Sequence, residues 1–496
     1  MNPDLLPVIV GVGQINDRPE NPLEGRDPVT LMADALRAAE ADAGVSLLAE
    51  ADWIGVVQQI AFPEIADASG PVAEKLGAAN AELVQSKGPN GDSPILLLNE
   101  AANRIGAGEI RIALVTGAEA LRTAGARKAA ASGGQKGDAL RDATHRVKVG
   151  YAQSHGLVVP TDVYPLYENA LRAHLGQTLA EGQAESGAIW SRFSEVAASN
   201  PAAWIRKPVS AEDVITPSDK NRPIAFPYTK LQVANAAVNQ GAGFIVMAAG
   251  EARARGIPEA KWIYVGNGAA AHEANSVLAR DGYVRSAGME VSILKTMELN
   301  QLSVEELDAV ELYSCFPCVP KMARRVLGWP LEKPATVFGG LTFGGGPIGN
   351  YMSHAVASMV EKLRGIGGTG LLFANGGYAT HNHTIAVSTR PIPAASFPRP
   401  YDYQTEADTA RGPVPELDQD YTGAATVESY TVYYDREGQP RSGVVVARTG
   451  EGKRTLAHVP ASDAATIARL QGEGAEPVGA SGMIAAGEPL RTWRFA

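Results

Sequence analysis

Two stretches of this 496-residue chain repeat one pattern, a helix closed by glycine and followed by a strand, and that repetition restricts the fold more than any other feature. Residues 94–105 read as a helix that runs into glycine and then into a strand at 110–116. Residues 351–364 read as a second helix, closed by glycines within 365–370 and leading to a strand at 370–375. One such unit in each half predicts a duplicated architecture. Strands and helices alternate elsewhere too, which predicts an α/β fold of mostly parallel sheets covered on both faces. Residues 7–14 read as a buried strand ending in glycines at a tight exit turn. Gly11-x-Gly13 is not a dinucleotide fingerprint, because the third glycine and the downstream acid are missing. Asp27 is placed to cap a helix with Pro28 at its first position, and Leu31, Ala35, Leu36 and Ala39 line one face. Residues 53–57 give the next strand.

The chemistry-bearing residues concentrate in Glu311-Leu312-Tyr313-Ser314-Cys315-Phe316-Pro317 and in the glycine-rich segment 339–350. Cys315 and Cys318 are the only cysteines. A strand at 307–312 would deliver Tyr313 and Cys315 to its carboxyl end, where ligands of alternating α/β folds gather. The glycines would let a second backbone segment approach closely. Gly344-Gly345-Gly346 is not a phosphate loop, since no Lys-Ser/Thr follows at the required spacing. His381 and His383 alternate near a strand start and face one way, without a third metal ligand of suitable spacing. A thiol or phenol serves as acid or base when its surroundings shift its pKa.

On these residues the chain resembles thiolases over roughly its first 390 residues, by order and spacing of elements. There an Asn-Glu-Ala-Phe motif, or His-Asp-Cys-Phe in sterol-carrier-type members, precedes a Gly-Gly…Gly-His-Pro loop. The resemblance implies a five-layered αβαβα duplicated core, an inserted loop domain that holds coenzyme A, and a homodimer through the core. It also implies that the nucleophilic cysteine position falls on Gly91, with Ser93 two residues later. The motif asparagine falls on Tyr313, the loop histidine on Gly346, and the last cysteine on Ala374, so each of those positions has changed. Cys315 stands where sterol-carrier-type thiolases place an acid/base cysteine. The implied catalytic set is Cys315, Tyr313, Tyr351 and His381. Ser93, Arg222, Lys230, Gly345, Gly346, Asn350, Asn375 and Gly376 are implied around substrate or coenzyme A.

Residues 120–230 carry few strand patterns and are expected to be a partly helical insertion, including Tyr164-Pro165-Leu166-Tyr167. Arg206, Lys207, Lys220, Arg222 and Lys230 within it are suited to phosphate, and equally to a solvated surface. The proline-rich stretch 391–402 reads as a stiff connector between domains. Beyond it, alternating runs at 427–434 and 442–448 flank a hairpin turn, 455–459 continues, a helix spans 463–470, and 478–484 closes a small β-barrel-like domain reminiscent of oligonucleotide- and oligosaccharide-binding barrels. The domain order expected is one thiolase-like half at 1–265, a second at 266–390, the connector, and the additional domain at 403–496. Thiolase-like proteins of mycobacterial type with an extra C-terminal domain resemble the chain end to end.

A net charge of −10 and a pI near 5.4 argue against nucleic acid or an anionic membrane as the main partner. No apolar run is long enough to span a bilayer, no signal peptide is expected, and the cytoplasm is the expected location. No permanently bound cofactor is expected; a coenzyme A thioester is the implied substrate or ligand. The resemblance implies acyl-CoA binding and, as the scaffold's commonest chemistry, an acetyl-CoA acetyltransferase-like acyltransferase first; a retro-aldol lyase on a β-hydroxyacyl-CoA and a non-catalytic acyl-CoA carrier or sensor are the alternatives.

Overall fold

The computed structural model describes residues 2–132 and 150–496. Its larger sheet has nine strands: β1 Pro7–Asn16, β2 Trp53–Val56, β3 Glu82–Gln85, β4 Ile112–Ala120, β7 Asn239–Ala248, β8 Ile263–His272, β9 Ala309–Leu312, β10 Thr369–Gly376 and β11 His381–Ser388. Their order, β3-β2-β4-β7-β1-β8-β11-β10-β9, places the first half of the chain on one side and the second half on the other. Within the sheet, among the described residues, the pairs Val8 with Tyr264 and Ile9 with Ile263 join the halves.

Side-chain alternation decides how the layers stack. Val8 and Val10 belong to an apolar cluster with Leu31 and Leu36 of α1 (Pro28–Ala43), and α2 (Ser69–Leu76) contributes Val72 and Leu76 to the same cluster. Ile9 and Val12 face the other way, toward Ile95 and Leu98 of α3 (Ser93–Gly106). The second half mirrors this, with α6 (Ala287–Asn300) and α7 (Cys318–Leu327) on its outer face and α8 (Tyr351–Ile366) inward. Helices α3 and α8 touch strands of both halves. The layers therefore run helix, sheet, helix pair, sheet, helix, as the resemblance implies. The expectation of mostly parallel sheets fails: only β2–β3, β2–β4 and β9–β10 pair parallel, and the other pairings of this sheet are antiparallel.

Asp27 caps α1 by accepting the Thr30 N–H at 2.9 Å, and Gly44, at φ 83°, ends it. One local expectation fails: β1 does not turn at its glycines but runs through them to Asn16. A Cβ on Gly11 or Gly13 would overlap the carbonyl oxygens of Ala39 or Ala35. These glycines let α1 lie directly on the strand rather than bend it.

The insertion is helical, with α4 (Pro160–His174), α5 (Leu179–Ser199) and a small hairpin, β5 (Pro223–Ala225) and β6 (Tyr228–Thr229). After the core come β12 (Gly423–Tyr434), β13 (Pro440–Thr449), β14 (Arg454–Pro460), α9 (Ala464–Leu470), β15 (Ser481–Ala485) and β16 (Thr492–Phe495). They close a five-stranded barrel in the order β12-β13-β14-β16-β15-β12, with β14 and β16 parallel. β5 of the insertion adds to β12 at Ala225 and Tyr433. The proline-rich stretch is bolted to the core: Asn103 exchanges hydrogen bonds with the Arg399 backbone, at 2.8 and 2.9 Å, and Asn267 donates to the Ser396 carbonyl. No helix among the described residues is long and apolar enough to cross a membrane.

Candidate active site

Three backbone segments meet at the carboxyl end of β9. Parallel pairing of β9 with β10 sets Leu312 beside Phe373, and the Tyr313 N–H donates to the Phe373 carbonyl at 3.1 Å. The turn joining β10 to β11 then lies against residues 90–92, which lead into α3. A Cβ on Gly91 would overlap the Tyr313 hydroxyl and the Asn375 carbonyl oxygen and would stand 2.7 Å from the Tyr313 Cζ. A Cβ on Gly376 would approach the Gly91 nitrogen to 2.9 Å. The Tyr313 phenol thus fills the space that any side chain at position 91 would need.

Asp92 is the residue that sequence reasoning passed over between Gly91 and Ser93. By position it should cap α3, yet its side chain makes no capping bond, and it is only 5% exposed. Burial pushes its carboxyl up to about 6, opposed by nearby His272. His272, at the end of β8, meets His381 edge to face at 5.1 Å between ring centroids. Burial, then His381, lowers the His272 pKa, and its Nδ1 has no hydrogen-bond partner. Burial raises the Tyr313 phenol well above its ordinary value, and Cys315 and Asp92 add to this. An acid just ahead of an apolar helix was the available signal for Asp92, and it reads as an ordinary cap; nothing local marked His272.

Burial pushes the Cys315 thiol up to about 12, with only the Tyr164 hydroxyl pulling the other way among its neighbouring side chains. Since the thiolate is the nucleophilic form, a thiol held this high is inert near neutrality. Burial raises the Cys318 thiol as well, and it rests 3.7 Å from the Tyr164 carbonyl oxygen. Tyr164 itself, from α4, enters the site. Its hydroxyl lies 3.0 Å from both Asn375 Oδ1 and the Gly377 carbonyl, and it accepts the Ala379 N–H at 3.0 Å.

The remaining expected residues divide. Asn375 belongs to the site, donating to Asn382 Oδ1 at 2.9 Å. Tyr351 stacks edge-on against Tyr313 at 5.6 Å, but its hydroxyl is committed to Glu311 at 2.6 Å. Asn350 donates to the Gly117 carbonyl at 2.5 Å, and Ser93 to the Gly88 carbonyl at 3.3 Å. Gly345 lies against Gln240, and Gly346 donates to the carbonyl of Asn235, whose neighbour Ala234 donates to the Cys315 carbonyl. His383 is bonded to Asn99 and stacked on Tyr401, with burial pushing it down to about 3. Among the described residues no three metal-ligating side chains gather.

Arg222 and Lys230 flank the hairpin that joins the barrel; Arg222 donates to the Pro223 carbonyl, and neither side chain bonds to the residues around Gly91. Arg206 instead gathers with Arg18 and Arg122 near Trp204. The Arg18 guanidinium lies 3.9 Å over the Trp204 ring, and burial with the two other arginines lowers its pKa. No carboxylate among the described residues pairs with any of the three. Trp204 is tied to the glycine-rich loop through its N–H to the Gly344 carbonyl at 2.9 Å.

Comparison with known proteins accords with this geometry. Residues 404–488 match the model described as the thiolase-like protein type 1 additional C-terminal domain. The crystal structure of a monomeric SCP2-thiolase-like protein type 1 from Mycobacterium smegmatis is 30% identical, covers 100% of both chains and superposes with a TM-score of 0.83. The Ltp2-ChsH2(DUF35) aldolase is 19% identical over 78% of this chain and 98% of its own, with a TM-score of 0.60. Human mitochondrial 3-ketoacyl-CoA thiolase in complex with CoA is 16% identical over 78% and 99%, with a TM-score of 0.58. The mycobacterial relative's monomeric state gives the expected homodimer no support. No curated protein matches the chain.

Proposed function

Because this chain belongs to the SCP2-thiolase-like protein type 1 family, we propose that it binds an acyl-CoA thioester and cleaves a carbon–carbon bond in it by acid–base chemistry, as a retro-aldol lyase on a β-hydroxyacyl-CoA. The observation that carries this reading is the Tyr313 phenol occupying the place of a side chain at Gly91. A thiolase-type acyl-enzyme needs a thiolate there, and burial holds both thiols of the chain, Cys315 and Cys318, away from ionisation. Retro-aldol cleavage needs no nucleophile. A base removes the β-hydroxyl proton, the Cα–Cβ bond breaks as the Cβ carbonyl forms, and the electron pair passes into the thioester enolate, which then takes a proton at Cα.

Asp92, with its carboxyl near 6, is ionised at neutral pH yet basic enough to accept that proton. Tyr313, its phenol raised and therefore protonated, donates a hydrogen bond to the enolate oxygen. His272 beside Asp92 stays neutral. Arg18, Arg122 and Arg206, unneutralised around an aromatic face in an acidic protein, suit the phosphates and purine of coenzyme A. The barrel's strand order, with a helix between its third and fourth strands, supports the oligonucleotide/oligosaccharide-binding type of barrel.

Intact-protein mass measurement during incubation with β-hydroxyacyl-CoA and β-ketoacyl-CoA esters tests the reading. The expected result is an unmodified protein together with a shorter acyl-CoA and an aldehyde or ketone. An acyl adduct that disappears in Cys315→Ala would replace the lyase by a transferase, and binding without any product would leave a carrier.

A further inference from the structure

We propose that the C-terminal barrel is a working part of the candidate site: Arg454 and Arg280 form a relay of bonds to backbone carbonyls that holds the 376–381 turn against Gly91 and Tyr313. The inference rests on the site described above, although its decisive test needs no ligand.

The turn requires holding. Ala379 is fully buried with φ 58°, a left-handed conformation that a residue with a Cβ adopts at a cost of about 1 kcal/mol or more. Such a conformation persists where the surroundings over-determine it. Here the neighbours do so from three sides. Tyr164 accepts the Ala379 N–H, Tyr167 donates to the Tyr378 carbonyl at 3.1 Å, and Arg280 donates at 3.0 Å to both the Tyr378 carbonyl and Thr380 Oγ1.

Each of these holds is itself anchored by the barrel. Arg454 on β14 is fully buried and spends its fork on two targets. Nε and Nη2 grip both oxygens of Glu428 on β12 at 2.8 and 2.6 Å, while Nη1 donates to the Leu278 and Arg280 carbonyls at 2.7 and 2.6 Å. The barrel therefore fixes the backbone of the residue whose side chain fixes the turn. A parallel arm runs through rings: the Arg454 guanidinium lies 5.0 Å over Tyr283, which meets Tyr167 edge-on at 5.4 Å. The helix carrying Tyr164 and Tyr167 also rests on β12, through Ser429 donating to the Leu166 carbonyl at 2.6 Å and Asn169 donating to the Tyr430 carbonyl at 2.9 Å. Arg454 makes four such bonds from one rigid fork of five donors; the three donors of an ammonium cannot supply all four.

The experiment is amide hydrogen exchange on the full-length protein, comparing wild type with Arg454→Lys and Arg280→Gln. The relay predicts that the Ala379 and Thr380 amides lose at least tenfold in protection in both variants, with the barrel amides of β13 within twofold of wild type. Turn protection within twofold in both variants would overturn the proposal. Parallel loss in β13 and the turn of Arg454→Lys, with Arg280→Gln unchanged, would also overturn it, because the barrel would then merely have loosened. On turnover, the same variants should lose kcat at least tenfold with KM within about twofold, since the arginines suited to the nucleotide lie elsewhere. A wild type without acyl-CoA affinity would remove the ligand reading while leaving the exchange result to decide the relay.

Discussion

The two duplicated helix–strand units meet in the central layer, but the segments that lead into their helices are finished differently. Ahead of α3, β3 pairs in register with β2 from Trp53–Glu82 to Val56–Gln85, and the chain then reaches Gly91 and an Asp92 that makes no capping bond. Ahead of α8, the matching segment gives β9 one backbone bond, Leu312 N–H to the Ala335 carbonyl at 2.9 Å. It is held instead by the buried Glu311 side chain, which accepts from Thr336 Oγ1 and from the Val337 N–H at 2.8 Å. Tyr351 closes the same carboxylate. One helix start thus carries a buried carboxylate without a capping bond, and at the other the buried carboxylate is tied on every side.

Removing the open carboxylate should have the largest effect. Asp92→Asn keeps the shape and loses the base, so turnover of a β-hydroxyacyl-CoA should fall about a thousandfold, within the range for general-base removal. In the wild type the carboxylate must be ionised to accept a proton, so the rate should rise with pH through about 6 and be lost below it. The variant should lose that limb, and an unchanged pH profile would assign the base elsewhere. Tyr313→Phe, which deletes the donor beside Gly91, should reduce kcat about a hundredfold with little change in coenzyme A affinity. An equal loss in both would make Tyr313 a binding group. The tied end should respond in stability instead. Tyr351→Phe removes a hydroxyl bonded to a buried carboxylate, costing about 2 kcal/mol in denaturant unfolding, with turnover within tenfold.

The same contrast explains what the sequence could reveal. Helix and strand periods, the Asp27-Pro28 start and the repeated glycine-closed unit depend on neighbours along the chain, and they led to the elements and their duplication, while the five-layer stacking followed from the resemblance alone. Gly11 and Gly13 could not be read that way, because their reason is a helix packed across the strand. β16 escaped too: Thr492–Phe495 is four residues long, and only Trp493 of it is fully buried. In the site, motif counting brought out Gly91 and Tyr313, whose contact in space supports that alignment. It could not bring out His272, Tyr164 or Arg280, which arrive from a strand end, the insertion and a loop with no pattern of their own.

Cys315 makes the finest test, since sequence resemblance and environment assign it different parts. Its position is that of a sterol-carrier-type acid/base cysteine, but burial holds the thiol near 12, and its backbone carbonyl is engaged by the Ala234 N–H at 3.1 Å. A thiol that high neither gives nor takes a proton usefully at neutral pH. Cys315→Ala should therefore cost about 1 kcal/mol of packing and leave turnover within about threefold of wild type. A loss approaching that of Tyr313→Phe would show that substrate entry reorganises this pocket enough to lower the thiol, and the acid–base pair would then have to be redrawn around Cys315 and Tyr164 rather than Asp92 and Tyr313.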